Sequence, residues 1–138
     1  MGLVRFGVSL DKDLLTDFDN LCAQNKYQNR SEAIRDLIRD RLVREEWAAP
    51  KGEVTGVITL VYDHHKRELV DSLINIQHDE QDTIIASQHT HLDHDNCLEV
   101  IIVKGQAPEA KKLAARLRSE KGVKHGEFIM TTTGRRIK

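Results

Sequence analysis

Two cysteines, two prolines and six aromatic residues (three Phe, two Tyr, one Trp) are all that the 138 residues contain of those types. So few large rings imply a modest core, and a chain this size gains burial by pairing with copies of itself. Cys22 and Cys97 lie far apart in unlike surroundings, which excludes a disulfide framework and predicts separate thiol roles in a reducing compartment. No apolar run approaches the roughly 18 residues of a membrane span. The opening MGLVRFGVSLDKDL lacks a signal peptide's continuous apolar core, so the cytoplasm is expected, with no membrane partner. Net charge is also missing. With 21 Lys and Arg against 22 Asp and Glu the formal charge is -1, so any nucleic-acid binding must come from the placement of charge rather than its sum. The length allows one ordinary domain or two small ones and excludes a large multi-domain enzyme.

Residues 3–9 alternate, with Val4, Phe6 and Val8 on one face and Arg5, Gly7 and Ser9 on the other, which predicts a short strand. Asp11 and Asp13 open a helix with the apolar stripe Leu14, Phe18, Leu21 and Cys22, the last a small core residue. After a polar turn over 26–29, Asn29 or Ser31 caps a second helix carrying Ile34, Leu37, Ile38 and Leu42. A lone strand cannot satisfy its own edges, so this segment should pair with a second copy as an antiparallel ribbon. In that form it resembles the ribbon-helix-helix repressors, whose ribbon enters the DNA major groove.

Helical patterning stops near Trp47, where Pro50 and Gly52 appear. This gives a head over 1–47, a linker over 48–53 and a second domain over 54–138. The second domain reads as a strand over 54–62, a helix over 65–76, strands over 83–91 and 98–103, a helix over 108–121 started by Pro108, and a last strand over 123–131. The order β-α-β-β-α-β is the ferredoxin-like plan, and the whole is α+β.

Six of the seven histidines fall between residues 64 and 94. The informative pattern is His89-Thr-His91 on one strand with Cys97 opening the next across a tight polar turn. Side chains at i and i+2 share a face, and a hairpin brings the thiol near both imidazoles. Two imidazoles and a thiolate suit zinc, copper or nickel rather than magnesium or calcium. His78, at the end of the first helix of this domain, is a candidate fourth ligand. His64, His65, His94 and His125 read as solvated or hydrogen-bonded residues.

A ribbon-helix-helix head followed by this second domain is similar to the NikR family of nickel-responsive transcriptional regulators over nearly the whole chain. The shared stretches are Asn29-Arg-Ser-Glu-Ala-Ile-Arg-Asp36, Gln77-His78, His89-Thr-His-Leu-Asp-His-Asp-Asn-Cys97-Leu-Glu99 and Lys124-His-Gly126. The resemblance implies a homotetramer whose ACT-like domains form the centre, flanked by two paired heads. It implies Ni(II) in a planar site made by His89, His91 and Cys97 of one subunit and His78 of a neighbour. Because the thiol must lose its proton to bind, metal affinity should fall with pH. Glu99 would steady a ligand from behind, its plainer reading being an exposed strand acid. A cation site for K+ is implied at Glu32 and Asp36.

For double-stranded DNA, the same resemblance sets Arg5, Gly7 and Ser9 toward the bases of a palindromic operator and Asn29, Arg30 and Ser31 toward phosphate. Arg5 is the strongest base reader, and Gly7 departs from the hydroxyl residue usual in relatives. Nickel would order the helix leading to His78 and the loop over 62–66, shifting a small competent fraction of heads toward DNA and repressing nickel-uptake genes. Two other readings stand beside this one. One is a regulator whose second domain senses an amino acid or another metal. The other is a metal-dependent hydrolase using Asp93, Asp95 or Glu99 as base. The primary expectation is a repressor, not an enzyme.

Overall fold

Asp11 and Asn29 start the two N-terminal helices by the same device, a side-chain oxygen that accepts an otherwise orphaned backbone N–H. Asp11 Oδ1 takes the amide of Asp13 at 2.9 Å, and Asn29 Oδ1 takes that of Glu32 at 2.9 Å. The computed structural model describes residues 2–138. Helix α1 spans Lys12–Gln24 and α2 spans Arg30–Ala48, separated by a turn in which Lys26 adopts φ 60°. The chain divides into two compact units between Asp40 and Arg41.

In the first unit Cys22 and Ala33 are buried. Residues 2–11 belong to no regular element, so the strand expected over 3–9 has no ladder partner among the described residues. A strand exists only as half of a pairing, and the apolar side meant to be covered stays open: Val4 is 87%, Phe6 70% and Val8 62% exposed. These side chains line an apolar cleft of about 960 Å³ with Phe18, Ile34 and Ile38.

The second unit begins inside α2, earlier than the boundary expected at residue 47, because the last turns of that helix carry core residues. Trp47 is buried, packs edge-on against Phe128 at 5.3 Å, and donates its indole N–H to the carbonyl of Thr131 at 2.8 Å. After a turn through Gly52 follow β1 (Glu53–Asp63), α3 (Arg67–Asp79), β2 (Ile84–His91), β3 (Asn96–Gln106), α4 (Ala107–Arg118) and β4 (Val123–Thr131). The sheet order is β2-β3-β1-β4, with all three pairings antiparallel. This is the ferredoxin-like plan.

Alternation along β1 sends Val54, Gly56, Ile58, Leu60 and Tyr62 to the buried face. There they meet Leu69, Leu73 and Ile76 of α3, Leu113 and Leu117 of α4, and Ile101 and Val103 of β3 in one core. Gly56 is required by close approach, since a Cβ there would lie 2.8 Å from both the carbonyl oxygen of Ile129 and the ring of Phe128. Helix α3 starts at Arg67 rather than His65. Asp63 Oδ1 accepts the amide of His65 at 2.9 Å, and the resulting turn keeps His64 and His65 out of the helix.

Candidate metal centre

Strand register decides which of the expected ligands can meet. His91 lies opposite Cys97, and Cys97 lies opposite Tyr62, so one row crosses β2, β3 and β1. His89 lies opposite Glu99 in the next row on the same face. The hairpin joining the rows is fixed by Asp93, whose carboxylate accepts the amides of Asp95 at 2.9 Å and Asn96 at 2.7 Å. These bonds, with the side-chain amide of Asn96 contributing most, hold the Asp93 carboxyl down to about 2.

Cys97 is fully buried, and burial pushes its thiol up, with the Tyr62 hydroxyl opposing that shift. Behind the histidines lies a buried polar chain. Glu99 is 1% exposed, not the exposed strand acid of the plainer expectation. Its Oε2 accepts from the Tyr62 hydroxyl at 2.5 Å and lies 3.1 Å from His89 Nε2, while its Oε1 accepts from Gln77 Nε2 at 2.5 Å. Tyr62 Oη also approaches His89 Nδ1 at 3.4 Å. Burial, followed by the carboxylate beside it, raises the Tyr62 phenol well above its ordinary range, so it stays protonated and donates.

Tyr62 and Gln77 were not among the expected site residues. The one signal for Tyr62 was its place on the buried face of β1, since a buried phenol must find a partner. Gln77 gave none beyond standing next to His78.

The expected trio therefore shares a face and adjacent rows without gathering around a single point. His89 leans on Glu99, and the His91 ring stacks on His64 with centroids 4.5 Å apart and planes 24° apart. His78 is exposed in the last turn of α3. The donor chemistry fits a borderline transition ion: a thiol and imidazoles, with a buried carboxylate 3.1 Å from His89 Nε2.

In the first unit Arg5, Gly7 and Ser9 are exposed. Asn29 is spent on its cap. Arg30 is gripped by both carboxylate oxygens of Asp19 at 2.8 Å, and Ser31 is exposed at the start of α2. Glu32 pairs with Arg35 at 2.7 Å. Asp36 accepts from the Tyr27 hydroxyl at 2.8 Å and from Arg39 at 2.9 Å, which together hold its carboxyl below the usual range.

Residues 55–131 match the family model of the NikR C-terminal nickel-binding domain. The chain belongs to the NikR family. Residues 4–45 match the ribbon-helix-helix proteins of the copG family, so a DNA-binding fold precedes the nickel-binding one. NikR relatives named as nickel-responsive regulators include one from Nitratidesulfovibrio vulgaris, 58% identical over 95% of this chain and 94% of its own. Another, from Pyrococcus furiosus, is 56% identical over 99% of both. A solved structure of an uncharacterized Thermotoga maritima protein shares the fold at TM-score 0.53 and 11% identity, over 59% of this chain and 100% of that one. NikR proteins are regulators of transcription rather than enzymes, which sets the hydrolase reading aside. Among the described residues no helix is long and apolar enough to cross a membrane.

Proposed function

We propose that this NikR protein is a cytoplasmic, Ni(II)-dependent repressor of nickel-uptake genes, working as a homotetramer of two ribbon-helix-helix dimers. His89, His91 and Cys97 of one subunit and His78 of a neighbour would hold the ion. The observation that carries this is the strand register, which sets exposed His91 beside buried Cys97 in one row and exposed His89 beside buried Glu99 in the next, so a thiol and two imidazoles share one face of a fixed hairpin. When bound, the ion supplies a charged link between two chains.

The protein's own groups do the rest. Glu99 lies 3.1 Å from His89 Nε2 and, through Gln77, is tied to the helix turn that carries His78, so one buried carboxylate adjoins ligands of two different ion sites. Cys97 must give up a proton from a thiol that burial already disfavours as an anion, so binding weakens as pH falls. On the head, Arg5 is suited to grip guanine O6 and N7, with Gly7 and Ser9 beside it, while Asn29, Arg30 and Ser31 meet phosphate at the N-terminus of α2. The exposed Val4, Phe6 and Val8 supply the apolar side of the ribbon that a second copy would cover. Glu32 and Asp36 are the proposed K+ ligands.

Gel-shift titration of a palindromic operator with intact protein tests the reading. Retardation should require Ni(II) and be lost in both Cys97→Ala and Arg5→Ala, the latter still binding nickel. Operator binding indifferent to the metal would overturn it.

A further inference from the structure

The unit that carries the ribbon segment is not basic. It comprises residues 1–40, which hold six Lys and Arg against seven Asp and Glu, leaving one excess negative charge. DNA attracts such a unit weakly, because sequence-independent binding grows with the number of phosphates that free cations neutralise. Its arginines on α2 also bring their own acids. Arg35 pairs with Glu32 at 2.7 Å and Arg39 with Asp36 at 2.9 Å, each within one turn of the helix. Arg30 takes its acid from α1 instead: Nε donates to Asp19 Oδ1 and Nη2 to Asp19 Oδ2, both at 2.8 Å.

That pairing uses the edge of the guanidinium that recognises an oxyanion. Two parallel N–H groups match two oxygens of a carboxylate or of a phosphate, so a phosphate reaching Arg30 by this edge must displace Asp19. Coming by Nη1, it meets a pair whose charges already cancel. Arg30 is 57% and Asp19 44% exposed, so the partners can separate without leaving a charge buried. The hydrogen bonds from Arg30 hold the Asp19 carboxyl below its usual range, so it is ionised at neutral pH. Arg5 differs: it is exposed and has no acidic partner among the described residues.

Given the proposed contact of Arg30 with DNA phosphate, on which this rests, we infer that Asp19 is a built-in competitor for that phosphate seat, holding down sequence-independent DNA binding so that grip depends on base reading by Arg5. On a wrong sequence, loss of the Asp19 pair offsets the new phosphate contact. On the operator, base contacts add to it.

The test is anisotropy titration of a random-sequence duplex with intact, nickel-free protein over a series of NaCl concentrations, sodium being used because Glu32 and Asp36 are the proposed K+ ligands. Asp19→Asn should tighten binding and steepen the fall of log K with log[NaCl] by about 0.9 for each head engaged. Asp19→Ala should do the same. In an Arg30→Ala background the Asp19→Asn change should have no effect, although it alters the net charge equally. An unchanged slope or weaker binding in Asp19→Asn overturns the competitor role, as does tightening that survives in Arg30→Ala. Failure of the proposed function reads differently, as an operator gel shift indifferent to Ni(II), which these nickel-free measurements on random sequence do not touch.

Discussion

Replacing Glu99 by alanine removes at once the acceptor for Tyr62 and Gln77 and the carboxylate 3.1 Å from His89 Nε2. A buried phenol is then left without its partner, which costs about 1–3 kcal/mol. Losing the carboxylate that orients His89 should weaken nickel binding by about 10- to 100-fold. Competition against a chelator measures the second effect and urea unfolding the first. Asp93 gives a pH signature. Its carboxyl sits near 2 in the folded protein, below its ordinary value of 3.8, so its contribution is complete above the ordinary value and disappears as pH falls through about 2. Asp93→Asn should therefore be less stable than the parent near neutrality, and the two should converge toward pH 2, as read by thermal unfolding across pH. At this scale the sequence was legible where chemistry follows spacing. His89 and His91 could be read onto one face because i and i+2 share it, and the register sets Cys97 opposite His91 as a hairpin reading expects. Tyr62 and Gln77 could not, because their place beside Glu99 depends on the β1–β3 register and on the angle of α3, neither of which is local.

Elements were readable to within a few residues wherever a pattern had a neighbour to support it. β1 alternates cleanly because it is an inner strand, paired on both sides. β2 lies at the sheet edge with most of its residues exposed. The end of α2 was read as leading into a linker, since Trp47, Ala48 and Ala49 run straight into Pro50. Only the tertiary contact with Phe128 shows that this turn belongs to a core. Segment 3–9 shows the opposite limit: its alternation is plain, but no strand among the described residues pairs with it, and the partner proposed for it is a second copy. Packing also fixes the cost of a small change in β1. Gly56→Ala pushes a methyl group into the Ile129 carbonyl and the Phe128 ring, and overpacking of this kind costs about 1–3 kcal/mol. Urea unfolding followed by the fluorescence of Trp47, the single tryptophan, should show the midpoint drop.

A site proposed to draw on two subunits makes a prediction that no single chain can. His78→Ala and Cys97→Ala should each fail to bind nickel tightly. Mixed tetramers should recover part of the binding, because a subunit that keeps Cys97 can meet a neighbour that keeps His78. Reassembling the two variants from denaturant and measuring the thiolate band checks this; no recovery would mean that all four ligands come from one chain. The place of Trp47 also bears on how the molecule can be cut. A fragment starting at Val54 would discard the indole and leave an unfilled notch beside Phe128, with the Thr131 carbonyl missing its donor. One starting at Arg41 keeps both contacts, so of the two truncations it should express as the sturdier protein, with the higher melting temperature.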